Sequence, residues 1–301
     1  MGVRIGVDLG GTKIEAIALD RSGAILERQR IATPAGDYEA TVEAVGALVA
    51  AIESGVGGGA RVGVATPGAR SLATGLMKNC NSTCLNGRPL KEDLERRLAR
   101  EVRMANDANC FALSEAVDGA GHGARVVFGV ILGTGVGGGV VVERRALEGA
   151  NAIAGEWGHN PLPSPLAEDH PLPRCYCGRS GCIETYLSGP GLAADHARVT
   201  GERLGAETIA TCAATGDPGS AQSLERYARR LARSLATVVN VLDPDVIVLG
   251  GGLSSIESLY ERVPRLLPAH VFSDAVRTRL VPPVHGDSSG VRGAAWLWEP
   301  A

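Results

Sequence analysis

The chain has 301 residues, with 30 basic and 33 acidic side chains and a formal net charge of −3. That near balance gives no electrostatic ground for binding nucleic acid or an anionic membrane, and a hydrophobic content of 45% argues against disorder over most of the length. Aromatic residues make up only 4%, so the core must be built from Val, Leu, Ile and Ala. The N-terminus shows no basic stretch followed by an apolar one, and no apolar run approaches the ~18 residues of a membrane span, so neither a signal peptide nor a membrane segment is expected. Of the 7 cysteines, three crowd into Cys175, Cys177 and Cys182. An odd count with one cluster fits a reducing cytoplasm and a metal site better than a secreted disulfide framework.

In chain order, the sequence predicts strands over 3–7, 14–19 and 24–31, with turns at Gly10-Gly11 and Asp20–Gly23, which together make a β-meander. Residues 38–54 change period: Val42, Val45, Leu48, Val49 and Ile52 form one helical stripe. A glycine-rich linker leads to a strand over 61–65, ending at Thr66-Pro67-Gly68. Leu90, Leu94 and Leu98 mark a helix, Val102–Ala105 a short strand, and a further helix starts near Ala108. A second β-rich opening at 126–142 repeats the first. Gly129–Gly135 resembles Gly6–Thr12 displaced by 123 residues, which suggests two related halves, although any two glycine-rich hairpins look alike. Residues 143–190 are irregular and rich in Pro, Gly, Cys and His. A long helix over 221–242, a strand over 245–249 and the turn Gly250-Gly251-Gly252 follow, and a final helix near Val291–Trp298 is expected to cross back onto the first lobe. Arginines gather at Arg96, Arg97 and Arg100 and again at Arg229, Arg230 and Arg233. Both groups lie on amphipathic helical stretches and read as solvated faces.

Three glycine-rich turns follow predicted strands: Gly10-Gly11-Thr12-Lys13, Gly133-Thr134-Gly135 and Gly250-Gly251-Gly252. Glycines let backbone N–H groups approach anionic oxygens closely, and a threonine hydroxyl adds a donor, so the three together point to a nucleotide triphosphate. Neither the dinucleotide fingerprint nor the phosphate-loop lysine motif is present, because Gly10–Lys13 runs on into a strand and not a helix. Asp8, beside the first turn, either orients Mg²⁺ near phosphates or caps the turn. Asp107 stands at a strand-to-helix junction, where it is either a carboxylate favoured by the helix dipole or a general base. His159 with Cys175, Cys177 and Cys182 suits a tetrahedral, closed and therefore structural zinc site. Glu156 and Glu184 flank that cluster and would be held still by it, as a polyol site requires.

Val7–Lys13, Asn106–Cys110, Leu132–Gly139, Gly155–His159 and the Cys175–Glu184 knuckle resemble the bacterial ROK family (repressors, open reading frames, kinases), and the likeness runs through essentially the whole chain. The resemblance implies an α/β, actin-like, hexokinase-type ATPase fold: two ribonuclease-H-like domains around a cleft, usually in a homodimer. The expected division is 1–118, with a C-terminal helix about 290–301 packing back on it, and 119–289, with the zinc knuckle inserted at about 155–187. The DNA-binding domain of ROK repressors is not expected. The family implies Asp107 as catalytic base, sugar contacts from Asn106, Glu156, His159 and Glu184, and a role for Asp8 through Mg²⁺. It also implies that the loops at Gly10, Gly133 and Gly250 hold ATP, and that His159 gives one ring nitrogen to Zn²⁺ and the other to the sugar. Asn79–Gly87, which supplies Asn81 as a further sugar contact, resembles the fructokinase branch, as do Trp157–Pro163 and His285–Trp296. D-fructose is therefore the expected hexose, with mannose or glucose as secondary substrates. N-acetylglucosamine kinase is the alternative, and a non-catalytic sugar sensor or zinc-stabilised binding module is the alternative outside enzymes.

Overall fold

The computed structural model describes Gly2–Trp298; residues 299–301, at the end of the expected C-terminal helix, lie outside the described residues. The strands are β1 (Arg4–Leu9), β2 (Lys13–Leu19), β3 (Ile25–Ala32), β4 (Arg61–Thr66), β5 (Ala69–Arg70), β6 (Met77–Lys78), β7 (Val102–Asn106), β8 (Val126–Leu132), β9 (Val136–Val142), β10 (Arg145–Ala146), β11 (Val246–Gly250) and β12 (Arg279–Val281). The helices are α1 (Tyr38–Val56), α2 (Leu90–Leu98), α3 (Asp107–Val117), α4 (Glu184–Leu187), α5 (Gly189–Thr200), α6 (Ala206–Ala214), α7 (Pro218–Leu242), α8 (Leu259–Leu266) and α9 (Ser289–Trp296).

Two five-stranded sheets carry the fold, ordered β3-β2-β1-β4-β7 and β10-β9-β8-β11-β12. The order is the same in both halves. β1 pairs antiparallel with β2 and parallel with β4, and β4 is parallel to β7. In the second sheet β8 is parallel to β11, and β11 to β12. The repeat of Gly6–Thr12 at Gly129–Gly135 is thus the sequence trace of one topology used twice. The chain divides into two compact units: one takes in the residues through Gly123, Gly139–Ala154 and those from Val284 on, and the other Ala124–Gly138 and Gly155–Pro283.

In the first unit β1 and β4 are covered on both faces: Ile5, Val7, Val62 and Val64, all fully buried, share one face, and Gly6 and Gly63 lie on the other. α1 covers one face with the predicted stripe Val42, Val45, Leu48, Val49 and Ile52. α9 packs on β1, β4 and α3. The approach is so close that a Cβ on Gly6, Gly63 or Gly293 would fall inside the carbonyl oxygens of Val291, Ala294 and Cys110 respectively. Glycine at these positions is a packing requirement. The buried Glu115 fastens the start of α9 by accepting from Ser289 Oγ (2.8 Å) and from the N–H groups of Val284 (3.1 Å) and His285 (3.2 Å). At the other end Trp298 donates to Val62 O (2.7 Å), and Arg4 donates to Trp298 O (2.8 Å).

In the second unit the solvated face expected for Arg229, Arg230 and Arg233 is not what the structure shows. Arg230 is 1% and Arg233 5% exposed. Arg230 reaches Asp169 (2.7 Å) and Asp195 (3.0 Å), Arg233 reaches Asp169 (2.8 Å), and Arg226 reaches Asp195 (2.9 Å). The helical period placed these arginines on one face correctly. It could not reveal that two carboxylates from the irregular segment and α5 would desolvate with them, a pairing without which burial of the charges would be prohibitive. Arg96 does remain exposed, paired with Asp93.

Candidate active site

Asp8 lies on β1, and the Gly10–Lys13 turn joins β1 to β2. Gly10 donates to Lys13 O (3.0 Å), and Thr33 Oγ1 donates back to Gly10 O (2.7 Å). Burial, the Asp107 carboxylate and then Glu15 push the Asp8 carboxyl up to about 6, with Lys13 and Arg30 acting in the opposite direction. Asp107 is the first residue of α3, and Asn106 is its N-cap, accepting from Asn109 N–H (2.8 Å) through Oδ1. That cap takes up one lone pair of Oδ1 and neither NH₂ hydrogen, so the amide keeps its donors. The Asp107 side chain reaches solvent, yet burial raises its carboxyl above the ordinary value, opposed in part by the backbone N–H groups of Ala108 and of Asp107 itself. Two carboxyls raised by burial, Asp8 raised further by the charge of Asp107, mark a place suited to act on protons or cations.

Asn81 is exposed on a pinned loop. Asn86 clamps that loop, accepting from Cys80 N–H (2.9 Å) and donating to Cys80 O (3.0 Å), while Asn79 takes a left-handed backbone at φ 58°. Two of the loop's three asparagines are thus spent on its own conformation.

In the second unit the Gly133-Thr134 turn and Gly252 line a single cavity of about 1160 Å³, lined also by Ala210 and Ala214 of α6, Leu253, Ile256 and Arg262. Gly251 is at φ 78°, and a Cβ there would meet Leu132 O at 2.5 Å, so the third turn rests directly on the end of β8. Glycine is required on both counts. The wall from α6 was not foreseen. Within Ala206–Ala214 only Ile209 is buried, too little to raise a periodic signal.

Glu156 is exposed, and the residue after it, Trp157, is buried, donating to Gly137 O (2.9 Å) and packing edge-on to Phe128. His159, Cys175, Cys177 and Cys182 gather, with their ligand atoms all within 4.8 Å of one another. Cys175 Sγ lies 3.5 Å from His159 Nδ1, and Cys177 Sγ 3.6 Å from Cys182 Sγ. A tetrahedral zinc ion with bonds of about 2.3 Å to sulfur and 2.0 Å to nitrogen calls for edges of about 3.5–3.8 Å. The donor set and its spacing fit that ion. His159 Nε2 meets the hydroxyl of the exposed Tyr176 (2.9 Å). Glu184 opens α4 two residues after Cys182, and its Oε2 accepts from Val136 N–H (2.9 Å).

Two like-ordered sheets, a glycine-walled cavity and a pair of crowded carboxylates define the actin-like, hexokinase-type class of α/β fold. The chain matches the ROK family model over residues 4–301 and belongs to the ROK family. It is 42% identical to the N-acetyl-D-glucosamine kinase of Vibrio cholerae, over 97% of this chain and 98% of that protein. The ROK hexokinase of Thermus thermophilus superposes with a TM-score of 0.86 at 30% identity, covering 98% and 97% of the two chains. The ROK family glucokinase of Streptomyces griseus in complex with glucose and AMPPNP does so at 0.77 and 30%, covering 98% and 99%. The expected fold class is borne out.

The fructokinase branch is not. A relative this similar over nearly its whole length is an N-acetyl-D-glucosamine kinase, so the likeness of Asn79–Gly87 to fructokinases does not report substrate. The physical reason lies in the loop: Asn79 and Asn86 serve its turn and clamp, a need that kinases of different hexoses can share.

The raised Asp8 carboxyl has a consequence for stability. A carboxyl whose folded value lies above its unfolded one opposes folding once ionised, so the penalty is full above about pH 6 and disappears as pH falls toward 4. Asp8→Asn should therefore raise the unfolding temperature at pH 7, by an amount worth up to about 3 kcal/mol. Calorimetric scans from pH 4 to 8 should show that gain shrinking to nothing at the acid end.

Proposed function

We propose that the chain transfers the terminal phosphate of ATP to a hydroxyl of N-acetylglucosamine. The observation that carries the sugar is the 42% identity to the Vibrio cholerae N-acetyl-D-glucosamine kinase; support for the nucleotide comes from the cavity between the second and third glycine turns.

Asp107 is the base. Its raised carboxyl brings it nearer the pH at which it must both exist ionised and accept a proton. It takes the proton from the attacking hydroxyl and aims that oxygen at the phosphate. Asn106 donates its amide to a neighbouring sugar oxygen while its carbonyl holds the helix cap. Asn81, Glu156, His159 and Glu184 complete the sugar contacts, the carboxylates accepting from hydroxyls. A sugar oxygen at His159 Nε2 takes the place of the Tyr176 hydroxyl. The turns Gly10-Gly11-Thr12-Lys13, Gly133-Thr134-Gly135 and Gly250-Gly251-Gly252 receive phosphate oxygens on the N–H groups that their own hydrogen bonds leave available, those of Gly10 and Gly133 being engaged by Lys13 O and Gly135 O. Mg²⁺, held near the phosphates by Asp8, supplies charge neutralisation when bound. Zn²⁺ at His159, Cys175, Cys177 and Cys182 is structural, all four positions being protein ligands.

Two sets of measurements test this, one kinetic and one on the metal. In the first, kcat/KM is compared for N-acetylglucosamine, glucose, mannose and fructose at fixed ATP and Mg²⁺. N-acetylglucosamine should exceed each of the others by tenfold or more, and a preference for any plain hexose would overturn the sugar assignment. Asp107→Asn should lower kcat by about 10² to 10⁴-fold with AMPPNP binding retained; near-normal turnover would remove Asp107 from the role of base. In the second, elemental analysis should return one zinc per chain, and Cys177→Ser should lose the metal and unfold at lower temperature together. A zinc-free wild-type protein of full stability would contradict the metal assignment.

A further inference from the structure

The second glycine turn is held from outside by one short segment. Gly189 N–H donates to Gly133 O (2.8 Å), and Glu184 Oε2 accepts from Val136 N–H (2.9 Å), so the turn is gripped at both of its ends. A Cβ on Gly135 would sit 2.7 Å from Glu184 Oε2. The carboxylate therefore lies against the turn itself, in the room that glycine leaves. The gripping segment is in turn tied down on either side of His159. Glu184 N–H donates to Gly158 O (2.8 Å) and Ile183 N–H to Asn160 O (2.8 Å), while Ser188 N–H donates to Glu184 O (3.1 Å). Four residues of α4 thus run without slack from the metal-ligand cluster to the turn, with no flexible linker at either end.

The Val136 amide explains why a charged acceptor is placed there. It is the first N–H after the turn, where β9 begins. A turn that collects phosphate oxygens aims its own N–H groups outward, and an anchoring acceptor behind it fixes their direction. A hydrogen bond to a carboxylate is roughly twice as strong as one between neutral groups.

We infer that Glu184, beyond any contact with the sugar, is a positioning residue for the nucleotide: through Val136 it holds the Gly133–Gly135 turn in the shape that receives phosphate. This rests on the reading of that turn as a phosphate loop. One side chain then serves both substrates, one oxygen on the turn and the other toward the sugar, and the two binding events share a rigid element.

The test is the affinity for AMPPNP with Mg²⁺, measured by titration calorimetry without sugar, in the wild type, Glu184→Gln and Glu184→Ala. Glutamine keeps an acceptor for Val136 N–H, and alanine does not. Glu184→Ala should weaken AMPPNP binding by about tenfold, Glu184→Gln should stay within about twofold of wild type, and both should bind sugar more weakly. Equal AMPPNP affinity in all three proteins would overturn the inference and leave Glu184 a sugar contact alone. Failure of the wild type to bind AMPPNP would instead overturn the nucleotide reading itself. Hydrogen exchange in the wild type gives a check that does not depend on the alanine variant folding. The Val136 amide should be protected without any ligand, and exchange at the rate of an open loop amide would also overturn the inference.

Discussion

The close approach of α9 to β1, β4 and α3 is the constraint on which the first unit depends. Three glycines, Gly6, Gly63 and Gly293, let backbone meet backbone where any Cβ would intrude. The strand that carries Asp8 and the helix that opens with Asp107 are thereby pressed against one common element. Gly290, on the same helix, leaves room for the Asp8 carboxylate, since a Cβ there would lie 3.3 Å from its Oδ2. Glu115 and Trp298 secure the two ends of the arrangement. Interiors this dense transmit displacement instead of absorbing it, so two like charges can be kept close and partly desolvated at a standing cost in stability. That cost is the common signature of a site organised for chemistry and not for folding.

The same strand order in the second unit is put to different use. The position 123 residues after Asp8 is Ile131, an apolar residue, and the turns beyond it present glycine and threonine. At this matched position one half of the repeat carries a carboxylate and the other an apolar residue, and the second half's turns line a cavity. Division of labour of this kind is what two copies of one topology permit, because a substitution in either copy leaves the packing logic of both intact. The second unit also carries features of its own. Its long irregular segment carries the cysteine cluster, and the buried ion network of Asp169 and Asp195 with Arg226, Arg230 and Arg233 anchors that segment to α5 and α7.

Much of this was legible in the sequence because it rests on local signals. The β-meander, the stripe of α1, the strand before Asn106 and the long α7 all have strong period or punctuation, and their observed bounds differ from expectation by at most a few residues. The cluster of His159 with three cysteines was readable because few other structures need that composition. The helices α5, α6 and α8 were missed because they bury too few large apolar side chains to make a stripe: Leu192 in α5, Ile209 in α6, and Leu259 and Val263 in α8. The burial of Arg230 was missed because its partners are about 35 and 61 positions away in sequence. The sugar was misread for a related reason: residues that shape a loop and residues that choose a ligand leave the same asparagines in the chain, and only the hydrogen bonds of Asn86 tell them apart.

The desolvation of Asp8 beside the charge of Asp107 is open to direct measurement. Carbon-detected NMR of protein labelled at aspartate side chains, titrated between pH 3 and 9 without nucleotide or metal, follows Asp8 itself. This packing predicts a midpoint near 6 in the wild type, falling toward the ordinary carboxylate range when Asp107→Asn removes the second charge, though not reaching it while burial persists. An Asp8 that titrates near 4 in the wild type, or one whose midpoint does not move when Asp107 is neutralised, would contradict it.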